Sequence, residues 1–151
     1  LDAIENADLI ILGPGSLYTS VLPNLLIQDI HNAILKSDAY KVYILNVMTQ
    51  PGETDGFSSW DHLRVLIEHT DPRIVDACIV NSEVIPSAMI EKYREKNAAP
   101  VELDLETIRL KSYEVLEGEI LKIDGQVRHD SEKLARLVFD QYFKAAKTAK
   151  V

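Results

Sequence analysis

The chain's 151 residues match the length of one domain, and 46% hydrophobic with 26% charged residues exclude a disordered tail or a collagen-like fibre. Sixteen basic against 24 acidic residues leave a formal charge of -8, which a nucleic-acid backbone would repel. No apolar run approaches the roughly 20 residues of a membrane-spanning helix, and the single cysteine, Cys78, excludes an internal disulfide and suits a reducing compartment.

Leu1 to Ala7 reads as the tail of a helix or a linker, with Ala3, Ile4 and Ala7 at helical spacing. Ala7 to Leu12 is a run apolar but for Asp8 that ends in Gly13-Pro14-Gly15, the pattern of a strand buried on both faces. Beyond Pro23, Ile27, Ile30 and Ile34 fall on one face of a short helix. Val42 to Val47 makes a second buried strand, followed by a polar loop from Met48 to Phe57. Ser58 then caps a helix whose stripe is Trp60, Leu63, Leu66 and Ile67, with Asp61 completing a variant capping box. Asp71-Pro72 stops it. Ala77 to Val80 is a third strand, and a helix near Pro86 to Lys96 starts with proline in its first turn. From Val101 the pattern shortens: Ile108 to Tyr113 and Gly118 to Val127 read as short strands, with Asp124-Gly125 as a hairpin turn. A last helix starts at Asp130 or Ser131, its stripe formed by Leu134, Leu137, Val138 and Tyr142, and Arg128-His129-Asp130 reads as its cap.

Three strand-helix units imply an α/β fold: a Rossmann-like parallel sheet flanked by helices, with short additional strands in the C-terminal part. The loops after Leu12, Val47 and Val80 would then leave one edge, the carboxyl edge where open α/β sheets bind ligands. Gly13-Pro14-Gly15-Ser16 supplies glycines that permit positive φ or close approach, and Ser16, Thr19 and Ser20 supply hydroxyls. A phosphate cradle and a plain tight turn both fit it. The second loop offers Thr49, Gln50, Glu53, Thr54 and Asp55, able to bond hydroxyls or hold Mg²⁺ beside a phosphate, or simply to face solvent. His62 could reach the same edge or pack within its helix. His31, His69 and His129 show no metal spacing, and Cys78 reads as a buried, inert thiol. No GxSxG, HExxH, CxxC or kinase signature occurs.

The strings LIILGPGSLYTSVLPNLL and NVMTQPGETDGFS, with DHL after them and VRHDSEKLA near the end, closely resemble the gluconeogenesis-factor family (YvcK-like). That family is similar in fold to the 2-phospho-L-lactate transferases (CofD-like). The resemblance runs from Asp8 to about Tyr142. It implies a bacterial cytoplasmic protein that binds UDP-sugars such as UDP-N-acetylglucosamine and acts in carbon metabolism, cell-wall synthesis and cell shape. In the transferase branch the cleft joins a phospholactyl group to a deazaflavin precursor, assisted by Mg²⁺. Carried onto this chain, the ligand-edge positions are Gly13, Gly15, Ser16, Tyr18, Thr19 and Asn24 on the first loop, and Asn46, Thr49, Gln50, Glu53, Thr54 and Asp55 on the second. The family's glycine-rich GGGTG-type nucleotide loop has no match here, so residues 1–151 are expected to form the C-terminal portion of a CofD-like domain.

The leading expectation is a nucleotide-sugar-binding regulatory protein without firm catalytic activity. The alternative is a transferase of a phosphoryl-linked group, with Asp55 or Glu53 as catalytic candidates and Mg²⁺ beside Asp55. A structural or interaction domain is the third reading. The expected partner is a small nucleotide-sugar, with further copies of the chain as an open alternative; nucleic acid and membrane are excluded as partners.

Overall fold

A computed structural model describes residues 1–148. Four strands form one parallel sheet in the order β1 (Leu9–Leu12), β2 (Tyr40–Ile44), β3 (Ala77–Asn81) and β4 (Glu114–Gly118). Before β1 stands α1 (Asp2–Glu5), a four-residue helix in the stretch read as a helix tail or a linker. A π-helical turn at Leu17–Val21, α2 (Leu22–Leu25) and α3 (Gln28–Lys36) connect β1 to β2. The connection from β2 to β3 is the loop 45–58, α4 (Ser59–His69) and a 3₁₀ turn at Pro72–Ile74. Two helices, α5 (Ser87–Arg94) and α6 (Leu105–Leu110), lie between β3 and β4. A hairpin of β5 (Leu121–Ile123) and β6 (Val127–His129) follows, then α7 (Ser131–Thr148).

Why the middle strands form is plain in their side chains. Successive strand residues face opposite ways, and here both faces are apolar. Tyr43, Cys78 and Val80 enter a core with Leu17, Leu63, Leu66 and Ile108. Val42, Ile44, Ala77 and Ile79 enter a second core with Ile120, Leu134 and Val138. Helices α3, α4 and α6 thus cover one face and α7 the other, a three-layer arrangement. Burial pushes the Cys78 thiol up to about 12, so it stays protonated and inert.

The expected α4 cap is present in full. The Ser58 hydroxyl accepts from the Asp61 N–H at 3.2 Å while the Asp61 carboxylate accepts from the Ser58 N–H at 2.9 Å. The hairpin around Asp124-Gly125 also forms, with Gly125 at φ 80.

Other expectations need correction. β1 starts at Leu9, not Ala7, and is not buried on both faces: it is an edge strand with only Leu12 buried and Ile11 46% exposed, while β2 spans Tyr40–Ile44 instead of Val42–Val47. Asn46 and Val47 leave the ladder because the Asn46 amide donates to Gly15 O (3.0 Å) and Val47 O accepts from the Val101 N–H (2.9 Å). Ile27 is the exposed N-cap of α3, so Ile30, Ala33 and Ile34 carry its inner face. Pro86 precedes α5 as N-cap. The largest change is at Ile108 to Tyr113, expected as a strand. Asp104 caps α6 there, Ile108 alone is buried, and the added parallel strand is β4. Among the described residues no helix is long and apolar enough to cross a membrane.

Candidate functional site

All four strands run parallel, so the segments after Leu12, Ile44, Asn81 and Gly118 leave the same, carboxyl edge. The first two are tied together there. Ser16 Oγ donates to Glu53 Oε2 at 2.6 Å, Thr19 Oγ1 donates to Ser16 Oγ at 2.6 Å, and Asn46 holds Gly15 O. Ser16 also accepts from the Thr19 N–H, which starts the π-helical turn. Asn81 stands at the same edge one strand further on, beside Asn46.

A groove of about 270 Å³ runs along this junction, lined by Gly15, Ser16, Asn46, Thr49 and Gln50 from the two loops and by Tyr93, Arg128 and His129 from beyond them. Gly15, Asn46, Arg128 and His129 also border a wider, largely apolar cavity of about 630 Å³ between β1, β2 and α7. The N–H groups of Gly15 and Ser16 donate to nothing among the described residues. Arg128 hydrogen-bonds Gln126 Oε1 through Nε and a terminal nitrogen (3.2 and 2.7 Å) and forms no ion pair with a carboxylate among the described residues. In a chain of net charge -8, that leaves a guanidinium available to an anion.

Burial lowers the His129 pKa while a hydrogen bond with the Leu45 backbone opposes the shift, so the ring is neutral at pH 7. Its Nε2 is buried without a partner among the described residues. Tyr93 is held by its hydroxyl, which accepts from the Val127 N–H at 3.0 Å.

Several expected site residues also make hydrogen bonds or ring contacts within the loops. Thr54 is buried and its hydroxyl accepts from the Gln50 N–H (2.8 Å), closing the second loop. Thr49 is buried too, and its hydroxyl accepts from the Ala99 N–H (2.9 Å), though its residue still borders the groove. Asp55 is exposed and accepts from the Gly52 N–H (2.6 Å), and Asn24 donates to Ser20 O (2.6 Å) in α2. Tyr18 lies edge-on to Phe57 at 6.5 Å. His62 packs rather than reaching the edge: it is wholly buried, its Nδ1 donates to Ser58 O (2.9 Å), and burial lowers its pKa. Glu53 binds Ser16 through one oxygen and Gln50 through the other, while Asp55 turns to Gly52. The two carboxylates do not converge, and among the described residues no cluster of three His, Cys, Asp or Glu exists to hold a metal.

Tyr93, Arg128 and His129 were not expected at the site. Tyr93 reads as an ordinary helix residue, and Arg128-His129 as a cap. What brings them in is the β5–β6 hairpin folding back over the sheet edge, a long-range contact with no local pattern. The one available signal was the VRHD string itself.

The 2-phospho-L-lactate transferase CofD family profile matches residues 1–121. The gluconeogenesis factor of Bacillus subtilis is 46% identical over 141 residues, covering 93% of this chain and 44% of that protein. The gluconeogenesis factor of Halalkalibacterium halodurans is 43% identical over 141 residues, again with 93% and 44% coverage. A Clostridium acetobutylicum relative is 45% identical over 141 residues, of which this chain spans 31%. A crystal structure of a Bacillus halodurans protein superposes with a TM-score of 0.89 at 42% identity, covering 91% of this chain and 45% of that one. The chain thus spans less than half the length of the curated relatives it matches.

Proposed function

This chain belongs to the CofD family, and we propose that it forms the phosphate-holding part of a nucleotide-sugar-binding regulatory protein of the gluconeogenesis-factor branch. The observation that carries this reading is the groove in which Arg128, with no carboxylate partner among the described residues, borders Gly15 and Ser16, whose N–H groups donate to nothing there. Cation and backbone donors together suit a diphosphate. The ligand we favour is a UDP-sugar of the UDP-N-acetylglucosamine kind, sensed in the bacterial cytoplasm and relayed to carbon metabolism, cell-wall synthesis and cell shape. The names of the relatives support the link to carbon metabolism.

Calorimetric titration of this chain, and of the full-length Bacillus subtilis relative, with UDP-N-acetylglucosamine tests the reading. Binding that weakens at least about tenfold in Arg128→Ala, roughly 1.4 kcal/mol, supports it. Unchanged affinity in that variant sinks it.

The second reading, a phosphoryl-linked group transferase, is favoured by the family profile itself. Incubation of the full-length relative with Mg²⁺ and a phospholactyl donor, followed by mass spectrometry, decides between them. Multiple turnovers would promote the transferase.

A further inference from the structure

The walls of the groove differ in what they offer. Gly15 and Ser16 on the first loop and Arg128 on the hairpin bring hydrogen-bond donors, as a phosphate requires. The second loop brings Asn46 and Gln50, two primary amides, and their neighbours settle how each is turned.

The Asn46 amide nitrogen donates to Gly15 O at 3.0 Å. The Gln50 amide nitrogen donates to Glu53 Oε1 at 3.5 Å, and Glu53 Oε2 is fixed in turn by the Ser16 hydroxyl. A carbonyl and a carboxylate only accept, so each amide turns its nitrogen toward them and its oxygen away. Asn46 Oδ1 and Gln50 Oε1 accept from nothing among the described residues. Neither oxygen is sealed in, because the buried side-chain atoms without a partner there are Tyr43 Oη, His62 Nε2 and His129 Nε2. The second loop thus presents two oriented acceptors that are open to solvent.

Three kinds of neighbour can be weighed against them. A phosphate dianion only accepts, so it cannot satisfy these oxygens. It is also repelled by Glu53, which pairs with no Lys or Arg among the described residues. A hydrocarbon would strip water from both oxygens and leave them unsatisfied. A hydroxyl donates where the water did, so the exchange costs little. Size agrees with one hydroxylated ring. A cavity of about 150 Å³ holds one benzene, so a groove of about 270 Å³ has room for a single ring with its phosphate.

We propose that the groove binds a sugar phosphate in one direction, with the phosphate against the first loop and Arg128 and the ring hydroxyls against the second loop. Asn46 Oδ1 and Gln50 Oε1 are the specificity-determining groups, since they separate a hydroxylated ring from a bare one. This rests on the phosphate reading of the groove and adds to it the class of substituent that the phosphate carries.

The test is an amide-shift titration of the isotope-labelled 151-residue chain with inorganic phosphate, glucose 1-phosphate and cyclohexyl phosphate. The two esters carry a six-membered ring on the same phosphate and differ chiefly in the hydroxyls. Glucose 1-phosphate should bind at least about tenfold tighter than cyclohexyl phosphate, the worth of one or two hydrogen bonds. It alone should move the side-chain NH₂ resonances of Asn46 and Gln50. Gln50→Met, which keeps the length of the side chain and removes the amide, should weaken glucose 1-phosphate at least about threefold more than cyclohexyl phosphate. Equal affinity for the two esters, with both weakened by Arg128→Ala, overturns the acceptor assignment and leaves the phosphate reading standing. So does a preference for glucose 1-phosphate that survives Gln50→Met with the Asn46 resonance unmoved. Failure of all three compounds to bind, or binding that ignores Arg128→Ala, overturns the phosphate reading and this proposal with it.

Discussion

Gly13 and Gly15 are both glycine, for different reasons. Gly13 adopts φ +86, where a side chain is strained, and a Cβ there would sit 3.1 Å from Ile44 O. Gly15 has no such φ; its constraint is space, because a Cβ would lie 3.1 Å from Ser20 Cβ. The expectation of positive φ or close approach is thus split between the two positions. Gly15→Val therefore has to push Ser20 and the π-helical turn away from Ser16, whose hydroxyl links the turn to Glu53. Nucleotide-sugar affinity in the full-length relative carrying the matching change should fall at least about tenfold, roughly 1.4 kcal/mol, by calorimetry. Asp55→Asn should behave oppositely. The Asp55 carboxylate serves the Gly52 N–H on an exposed turn, and an Asn oxygen can accept the same bond. Affinity should stay within about twofold in that variant. A tenfold loss would show that Asp55 touches ligand.

At the scale of elements, the strands were readable where burial on both faces leaves no polar position. Tyr43 and Cys78 point into one core and Val42 and Ile79 into the other, so periodicity could not hide them. Helix α6 was misread for the converse reason. It is six residues long and buries only Ile108, while Leu110 is 80% exposed, so its pattern mimics a half-buried strand. Its cap, Asp104, and its packing against α4 decide the matter. The site followed the same rule. The Gly13–Ser16 and Asn46–Gln50 loops were legible because each follows an apolar run that forms a strand, although in β1, at the sheet edge, only Leu12 is buried. Arg128 and His129 arrive through a hairpin, and Tyr93 through the bond of its hydroxyl to Val127, contacts that no local spacing encodes. Helix α4 offers a test of how the second loop is held. Ser58→Ala deletes the acceptor for the Asp61 N–H and leaves that helix end unsatisfied, at a cost of about 1 kcal/mol. The melting midpoint should drop by roughly 2–4 °C for a chain of this size. An unchanged midpoint would mean that α4 is fixed by its core contacts alone.

For the molecule as a whole, the buried histidines set how stability responds to acid. His62 donates from Nδ1 to Ser58 O, so Nε2 carries the lone pair, and it is buried without a partner among the described residues. Protonation would place a charge beside the Phe57 ring, 5.5 Å away, with no acceptor for the new N–H. Burial lowers the pKa of both His62 and His129 below the usual imidazole value. A histidine with a lowered folded pKa leaves the unfolded chain binding more protons once pH falls below about 6.5. Stability is then complete above that value and declines as pH drops toward the folded pKa. The acidic groups act elsewhere. Asp71, held down to about 2 by the Arg73 guanidinium and backbone, contributes stability above the ordinary carboxylate range and loses it only as pH falls toward 2. Asp61, held down chiefly by the Ser58 backbone N–H, follows the same sign in the same acid range. The window from pH 7.5 to 5 therefore belongs to the imidazoles. The melting midpoint of the chain should fall across that window, and His62→Phe, which removes the titration while keeping an aromatic ring against Phe57, should flatten the decline. Adding His129→Gln should flatten it further. Equal slopes in the parent chain and the double variant would show that neither buried ring governs the acid response.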